Sequence, residues 1–363
     1  MTTTTPSGSD HTTAEVAERI MAALLGAVDV MAIHLGDRLG WYRSLVDDGP
    51  TTATQLAERT GTHPRYTREW LEQQAVTGLL QVRADGESES RVYGIDSATA
   101  EVLTDQHSLE YLSPIARIIC AVGPALPRLL DAYRTGSGVS WDDLGDDARE
   151  SQGDANRPWF EHRLAQTLAG AGDHVHQALS RPQARVLDVG CGHGWSSIAL
   201  ARAYPECTVQ GIDIDAPSVP TASAHAEEAG VADRVTFTCG DAATLPSDTF
   251  DVAFAFECVH DLPRPVEVLG SVLCSLTPDG FLIVMDEAVA DEFSPDGDDL
   301  ERLMYGYSLL ICLPDGMSSP PSAGTGTVMR ESVLRGYAAE AGFTETVTLP
   351  TEEFGFWRFY RLQ

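Results

Sequence analysis

The sequence predicts an α/β protein: an open, largely parallel sheet covered by helices, preceded by a mostly helical region that contains a winged helix. Three observations predict it. From about Ala184 onward, five strand-like runs alternate with helical stretches. The first strand leads into VLDVGCGHGWSS (186–197), where glycines at alternate positions precede a helix. Ahead of it, apolar residues recur at helical spacing and are interrupted by one hairpin-like segment.

The elements follow in order. MTTTTPSGSDHTT has neither a basic start nor an apolar stretch, so no secretory leader is expected, and its composition predicts a disordered tail over 1–13. From Ala14 to about Asp48, Val16, Ile20, Leu24, Val28, Met31 and Leu35 fall at helical spacing, predicting two helices or one bent near Gly26. Thr51 or Thr52 can cap a short helix that turns at Gly61, and a second amphipathic helix after Pro64 uses Tyr66, Trp70, Leu71 and Val76. That is helix-turn-helix spacing. Leu79 to Tyr93, with its Gly/Glu/Ser-rich middle, completes a wing, so a winged-helix domain is expected over 14–105. A helical connector with an acidic, Gly-rich loop is expected over 106–170. The sheet domain should occupy 171–363, with strands at ARVLDV, CTVQGID, RVTFTCGD, FDVAFAFE and FLIVMDE, and a terminal hairpin from FTETVTLP and EFGFWRFYRL.

Charge narrows the function classes. The chain has 54 acids against 24 bases, contains no lysine, and carries a formal net charge of -30. Nucleic-acid binders show the opposite balance, and anionic membranes repel such a surface. On the second helix of the helix-turn-helix, Arg65 and Arg68 are countered by Glu69 and Glu72, so DNA reading is not expected. The seven cysteines are scattered without a C-x-x-C pair, as reduced thiols would be. The expected setting is cytoplasmic, with no nucleic acid and no membrane as partner.

The chemistry is concentrated at strand ends. Gly190, Gly192 and Gly194 let a ligand approach the backbone and the helix amides that follow. A dinucleotide fingerprint would need glycine where Trp195 stands. Asp188, inside the first strand, suits a ligand ammonium better than a pyrophosphate. Asp213 closes the second strand, 23 residues after Gly190, where a carboxylate can accept both ribose hydroxyls. Asp241 closes the third, where it can accept from an adenine amine. Each acid alone reads equally as a helix cap. Three in register beside the glycines point to an amino acid, a ribose and an adenine without phosphate, which is S-adenosylmethionine. Ala242, directly after Asp241, and Phe256, at the end of the fourth strand, are expected cofactor neighbours.

Residues from about 184 to 287 resemble a class I S-adenosylmethionine-dependent methyltransferase, through the Gly-rich loop and the two later acids. The whole chain resembles bacterial and plant small-molecule methyltransferases, in which the winged helix dimerises the enzyme and walls the acceptor pocket. FECVHD, MDE, ERLMYGYSLL and GTGTVMR resemble an actinobacterial subgroup. The resemblance implies a Rossmann-like sheet of seven strands with the last antiparallel, a homodimer through the N-terminal domain, a small-molecule methyl acceptor, and cofactor roles for Asp188, Gly190, Gly192, Asp213 and Asp241. In the plant-type O-methyltransferases a His-Asp pair at the fourth strand end supplies the base, and His260 with Asp261 matches it. There a carboxylate from the next strand end orients the imidazole; Asp286 and Glu287 both end FLIVMDE, and we expect Glu287 to take that role.

Other readings stand beside this one. His260 can simply cap the loop before Pro263. Some relatives that C-methylate α-keto acids hold iron with an adjacent His-Asp and a later histidine, but no histidine follows His260, and only acids or Cys312 could complete such a site. No metal is expected. A winged-helix regulator that binds the cofactor is the remaining rival. Glu257 is an expected acceptor contact or loop anchor. Trp159 in NRPWFEH and Tyr305 in ERLMYGYSLLICLPDGM are expected to contact substrate, although core packing explains most of Met304, Tyr305, Tyr307 and Met317 equally well.

Overall fold

The computed structural model describes residues 11–84, 87, 89–351 and 354–363. Most of the expected N-terminal tail, and part of the wing tip, lie outside the described residues. Backbone contacts divide the chain into two compact units, Met1–Cys120 and Ala121–Gln363, so the helical stretch expected over 106–170 is shared between them.

The first unit begins with α1 (Thr13–Arg38), which Thr12 caps reciprocally with Glu15. The helix runs through Gly26 without interruption, and the break comes at Gly40, whose φ of 69° is left-handed. α2 (Trp41–Asp47), α3 (Ala53–Thr60) and α4 (Pro64–Val76) follow. Thr52, not Thr51, caps α3, and Gly61 ends it. Pro64 opens α4, where its missing N–H costs nothing. β1 (Gln81–Ala84) and β2 (Val92–Gly94) pair antiparallel as the wing, and α5 (Ser97–Thr104) comes next. The core joins Trp41, Tyr42, Leu45, Leu56, Trp70, Leu71 and Tyr93. Each such side chain contributes about 1.5–3 kcal/mol when fully buried. Gly36 is required there, because a Cβ would meet Trp70 and Tyr42 at 2.5 Å. Tyr66 and Val76 of the expected α4 face are instead exposed. The apolar series of α1 is exposed as well, from Val16 at 48% to Leu35 at 51%.

α6 (Ser113–Thr135) crosses the boundary, and α7 (Trp141–Leu144) and α8 (Asp146–Trp159) lead into the sheet domain. A π-helical turn, Phe160–Leu164, extends α8. The sheet has seven strands: β3 (Arg185–Val189), β4 (Thr208–Asp213), β5 (Val235–Cys239), β6 (Phe250–Phe256), β7 (Leu276–Glu287), β8 (Thr346–Thr348) and β9 (Trp357–Leu362). Their order is β5-β4-β3-β6-β7-β9-β8, and β9 alone runs antiparallel to its neighbours. Alternation assigns the faces: Phe254, Phe256, Ile283 and Met285 enter one core, and Ala253, Ala255, Leu282 and Val284 the other. The strand order reverses between β3 and β6, so their carboxyl ends form the cleft at which such sheets bind ligands. Among the described residues no helix is long and apolar enough to cross a membrane.

Candidate functional site

β3 delivers the chain to Gly190, whose N–H donates to Ile212 O at 2.9 Å and ties the turn to β4. A Cβ at Gly190 would meet Cys258 at 2.8 Å, so the glycine loop rests directly on the segment after β6. Gly192 has φ 47° with open space where a side chain would stand, so backbone conformation and ligand access demand glycine there, not packing. Gly194 caps helix Trp195–Ala203 with φ 80°.

Three acids shape this cradle. Asp188 is buried, and its Oδ2 accepts from the Ser196 and Ser197 hydroxyls at 2.6 Å each. Its Oδ1 is buried without a donor, as the acceptor for an incoming ammonium would be. Burial raises its pKa to about 6, with Asp213 adding to the rise against the two serines. Asp213 accepts from Gly192 N at 2.7 Å and Asp215 N at 2.8 Å, which fixes the carboxylate at the β4 end. Each oxygen keeps a lone pair for a further donor, as a ribose diol requires. Asp241 caps the turn Ala242–Thr244 through Ala243 N at 2.9 Å and meets Arg264 at 3.3 Å. The donor set and the open face at Gly192 fit S-adenosylmethionine.

The second half of the site gathers at the ends of β6 and β7. His260 is buried in the short turn Val259–Asp261. Its Nδ1 lies 2.7 Å from Asp286 Oδ1 and 3.3 Å from Glu287 Oε2, while Nε2 lies 3.2 Å from Asp261 Oδ1. The expectation for Glu287 is thereby corrected: Asp286 takes the hydrogen bond to the imidazole, and Glu287 stands at longer range on the same nitrogen. A strand alternates its side chains, so one of two adjacent acids would normally point away. Both lie within the ladder to β9, but the pairing of β7 with β6 stops at Met285, and past that point both carboxylates reach the imidazole. Burial opposes charge on His260, yet Asp261, Asp286 and Glu287 together hold its pKa well above 6.5.

Glu257, the first residue after β6, has φ 50°, a left-handed backbone that a non-glycine residue rarely adopts. Its carboxylate accepts from Trp357 Nε1, Asn156 Nδ2 and, at 3.3 Å, Gln152 Nε2. Burial raises its pKa to about 7 in spite of those donors. Cys312 reaches the Asp261 side of the imidazole, and burial pushes its thiol up to about 12. Donor atoms of His260, Asp261 and Cys312, and separately of His260, Asp286 and Glu287, lie within 4.8 Å of one another. The Nδ1–Asp286 hydrogen bond and the carboxylate facing Nε2 hold the imidazole between acidic groups on both sides.

A family profile described as a methyltransferase domain matches residues 180–309, which hold the cradle and the His260 cluster. A second, described as an Rv2258c-like winged HTH domain, matches residues 26–105. The chain is a class I S-adenosylmethionine-dependent methyltransferase with an N-terminal winged helix. S-adenosylmethionine is its methyl donor. The methyltransferase is 26% identical over 317 residues to the tetracenomycin polyketide synthesis 8-O-methyl transferase TcmO of Streptomyces glaucescens, covering 84% of this chain and 85% of that one. It is 27% identical over 312 residues to acetylserotonin O-methyltransferase of Mus musculus, covering 82% and 76%. Its fold is shared with the mitomycin 7-O-methyltransferase MmcR, with a TM-score of 0.72 at 24% identity over 96% of this chain and 98% of that one.

In the methyltransferase, α8 lies against both halves of the site. Arg149 grips Asp215, beyond the β4 end, with Nε at 2.9 Å. Gly153 abuts His193 of the glycine loop, where a Cβ would come within 2.8 Å. Asn156 and Gln152 hold Glu257, and Arg157 stacks over the Trp195 ring at 4.1 Å. Residues 149, 153 and 156 share one helix face, which is why a single helix reaches both strand ends. Sequence reading missed this helix, and i, i+4, i+7 spacing of Arg149, Gly153 and Asn156 was the available signal.

The two expected substrate contacts have protein neighbours. Trp159 packs against Phe354 and Trp357, at ring-centroid distances of 5.6 and 5.5 Å, so it supports the site through Trp357. Tyr305 is engaged by Arg330 at 3.1 Å, whereas Tyr307, a turn position away, is the one whose pKa Glu257 helps burial to raise. Phe256 stacks on Phe254 at 5.2 Å in the core, and Ala242 packs against the opposite core, so the contacts they make in this structure are with protein.

Proposed function

We propose that this methyltransferase transfers a methyl group to an oxygen of a small-molecule acceptor, with His260 as general base and Asp286 as its orienting partner. The observation that carries the reading is the placement of His260: a buried imidazole, fixed through Nδ1 at 2.7 Å, in a turn whose neighbour Cys258 abuts the glycine loop at Gly190. An in-line displacement needs the acceptor aligned and deprotonated as it attacks, and a fixed imidazole beside the donor cradle meets both needs. Transfer to oxygen is supported by the relatives that match most of the chain, both named as O-methyltransferases. Asp261 shares the other imidazole nitrogen and holds the ring's charge balance. Glu257 and Tyr307 border the acceptor side, and Asp188, Gly190, Gly192, Gly194, Asp213 and Asp241 form the cofactor side.

The N-terminal domain serves in this proposal as a homodimerisation module and not as a DNA reader. Arg65 pairs with Glu69 at 2.5 Å, and Arg68 pairs with Glu89, which leaves the helix little charge to offer phosphates. The test is turnover against a panel of phenolic acceptors. His260→Ala should bind S-adenosylmethionine normally in calorimetry and lose at least about a hundredfold in kcat. Unchanged turnover in that variant would remove His260 from the reaction.

A further inference from the structure

Five acidic or thiol groups converge on His260 from four segments. They are Glu257 from the end of β6, Asp261 from its own turn, Asp286 and Glu287 from the end of β7, and Cys312 from the stretch 308–317. Cys258, Tyr307, Asp315 and Tyr360 are further titratable groups that feel members of this cluster. His260 is its basic member. The nearby arginines pair elsewhere, Arg149 with Asp215 and Arg264 with Asp241.

The cluster is short of donors. Asp286 Oδ2 is buried without a hydrogen-bond donor, and so is Asp188 Oδ1 across the glycine loop, while Asp261 Oδ1 and Glu287 Oε2 face the imidazole nitrogens at 3.2 and 3.3 Å without completing a hydrogen bond. Asp188, Asp286 and Glu287 are each more than nine-tenths buried. Carboxylate oxygens left this way are satisfied either by a proton or by a cation. β3, which bears Asp188, runs into the glycine loop, and that loop touches the cluster where Gly190 meets Cys258.

We propose that this carboxyl–imidazole cluster holds an exchangeable proton that departs when the positively charged methyl donor binds, so that donor binding itself converts His260 from an imidazolium into a base. The inference rests on His260 being the base. It also removes a difficulty in that reading, because an imidazole between carboxylates is protonated at neutral pH and cannot accept another proton. Burial raises Glu257 to about 7 and raises Asp261 and Glu287 as well, so these carboxyls hold a proton more readily than free ones and a nearby positive charge opposes it.

The charge then balances through the reaction. The acceptor oxygen's lone pair forms the new O–C bond, the C–S bond breaks with its electrons passing to sulfur, and the acceptor proton moves to His260. The site loses one positive charge on sulfur and regains one proton. S-adenosylhomocysteine, with a neutral thioether, therefore meets a reprotonated cluster, which no longer favours holding a ligand by charge.

Calorimetric titration of chelator-treated enzyme at pH 6.5, in buffers of different ionisation enthalpy, counts the protons. S-adenosylmethionine should release up to about one proton more than S-adenosylhomocysteine, and sinefungin, an unreactive analogue with an ammonium at the methyl position, should match the former. The donor-to-product affinity ratio should rise with pH by up to about tenfold per unit between about pH 6 and 7. Glu287→Gln, whose amide copies the protonated carboxyl in shape, should shrink both the proton difference and the pH dependence. Equal proton counts for the three ligands would overturn the proposal even if His260→Ala abolishes turnover. Full turnover in His260→Ala would instead overturn the base assignment on which it rests.

Discussion

His260 stands among three carboxylates, Asp286 and Glu287 on Nδ1 and Asp261 on Nε2, and the unequal distances of the first two divide their roles. Asp286 at 2.7 Å sets the ring orientation, whereas Glu287 at 3.3 Å chiefly adds negative charge. Asp286→Asn should therefore lower kcat by about ten- to a hundredfold with KM for the donor little changed, and Glu287→Gln should lower it less; steady-state kinetics on both variants checks the order. Asp188 makes a separate prediction. Its pKa is raised from 3.8 to about 6 by burial, a difference of about 3 kcal/mol between its protonation states. A carboxyl raised in the folded state stabilises the fold below its unfolded pKa, and the contribution disappears as pH rises through the folded one. The ligand-free enzyme should lose stability between pH 3.8 and about 6, and Asp188→Asn should lose less across that window in thermal melts.

At the scale of elements, α8 links two strand ends that are far apart in sequence. Its Arg149 is nearly buried against Asp215, so removing the arginine strands a carboxylate beside the ribose-side acid Asp213. Arg149→Ala should weaken S-adenosylmethionine binding by about tenfold while leaving the pH dependence of the His260 cluster in place, as calorimetry across pH would show. The glycine loop behaves differently. Gly192 has room for a side chain but holds φ 47°, so Gly192→Ala should fold with a modest loss of stability and lose cofactor affinity far more strongly.

For the whole molecule, the exposed face of α1 is the largest unexplained feature of the first unit. Ile20, Leu24, Val28 and Met31 are each more than half exposed on one helix, a continuous apolar surface of a kind that folded monomers seldom leave to water. In the proposed homodimer a second copy covers it. A Leu24→Asp, Val28→Asp variant should elute as a monomer by light scattering, with the spectrum of the folded domain retained.

The sequence by itself determined the alternation of strands and helices, the seven-stranded methyltransferase sheet, the winged helix and the methyl donor. The seven strands follow from the resemblance to class I methyltransferases, and the rest from local rules: apolar period, capping residues, and acids at fixed distances from a glycine turn. Thr52, Gly61 and Pro64 mark their helix ends in the sequence as they do in the structure. What only the tertiary structure decided is which side chains meet. Asp286 and Glu287 are adjacent letters at the end of β7, and only the structure shows that both reach the imidazole. Trp357, Asn156 and Gln152 reach Glu257 from about a hundred positions away in the chain, a contact that no local pattern records. Periodicity gave α1 an apolar face but not its partner, because spacing reports that a face is apolar and says nothing of what will cover it.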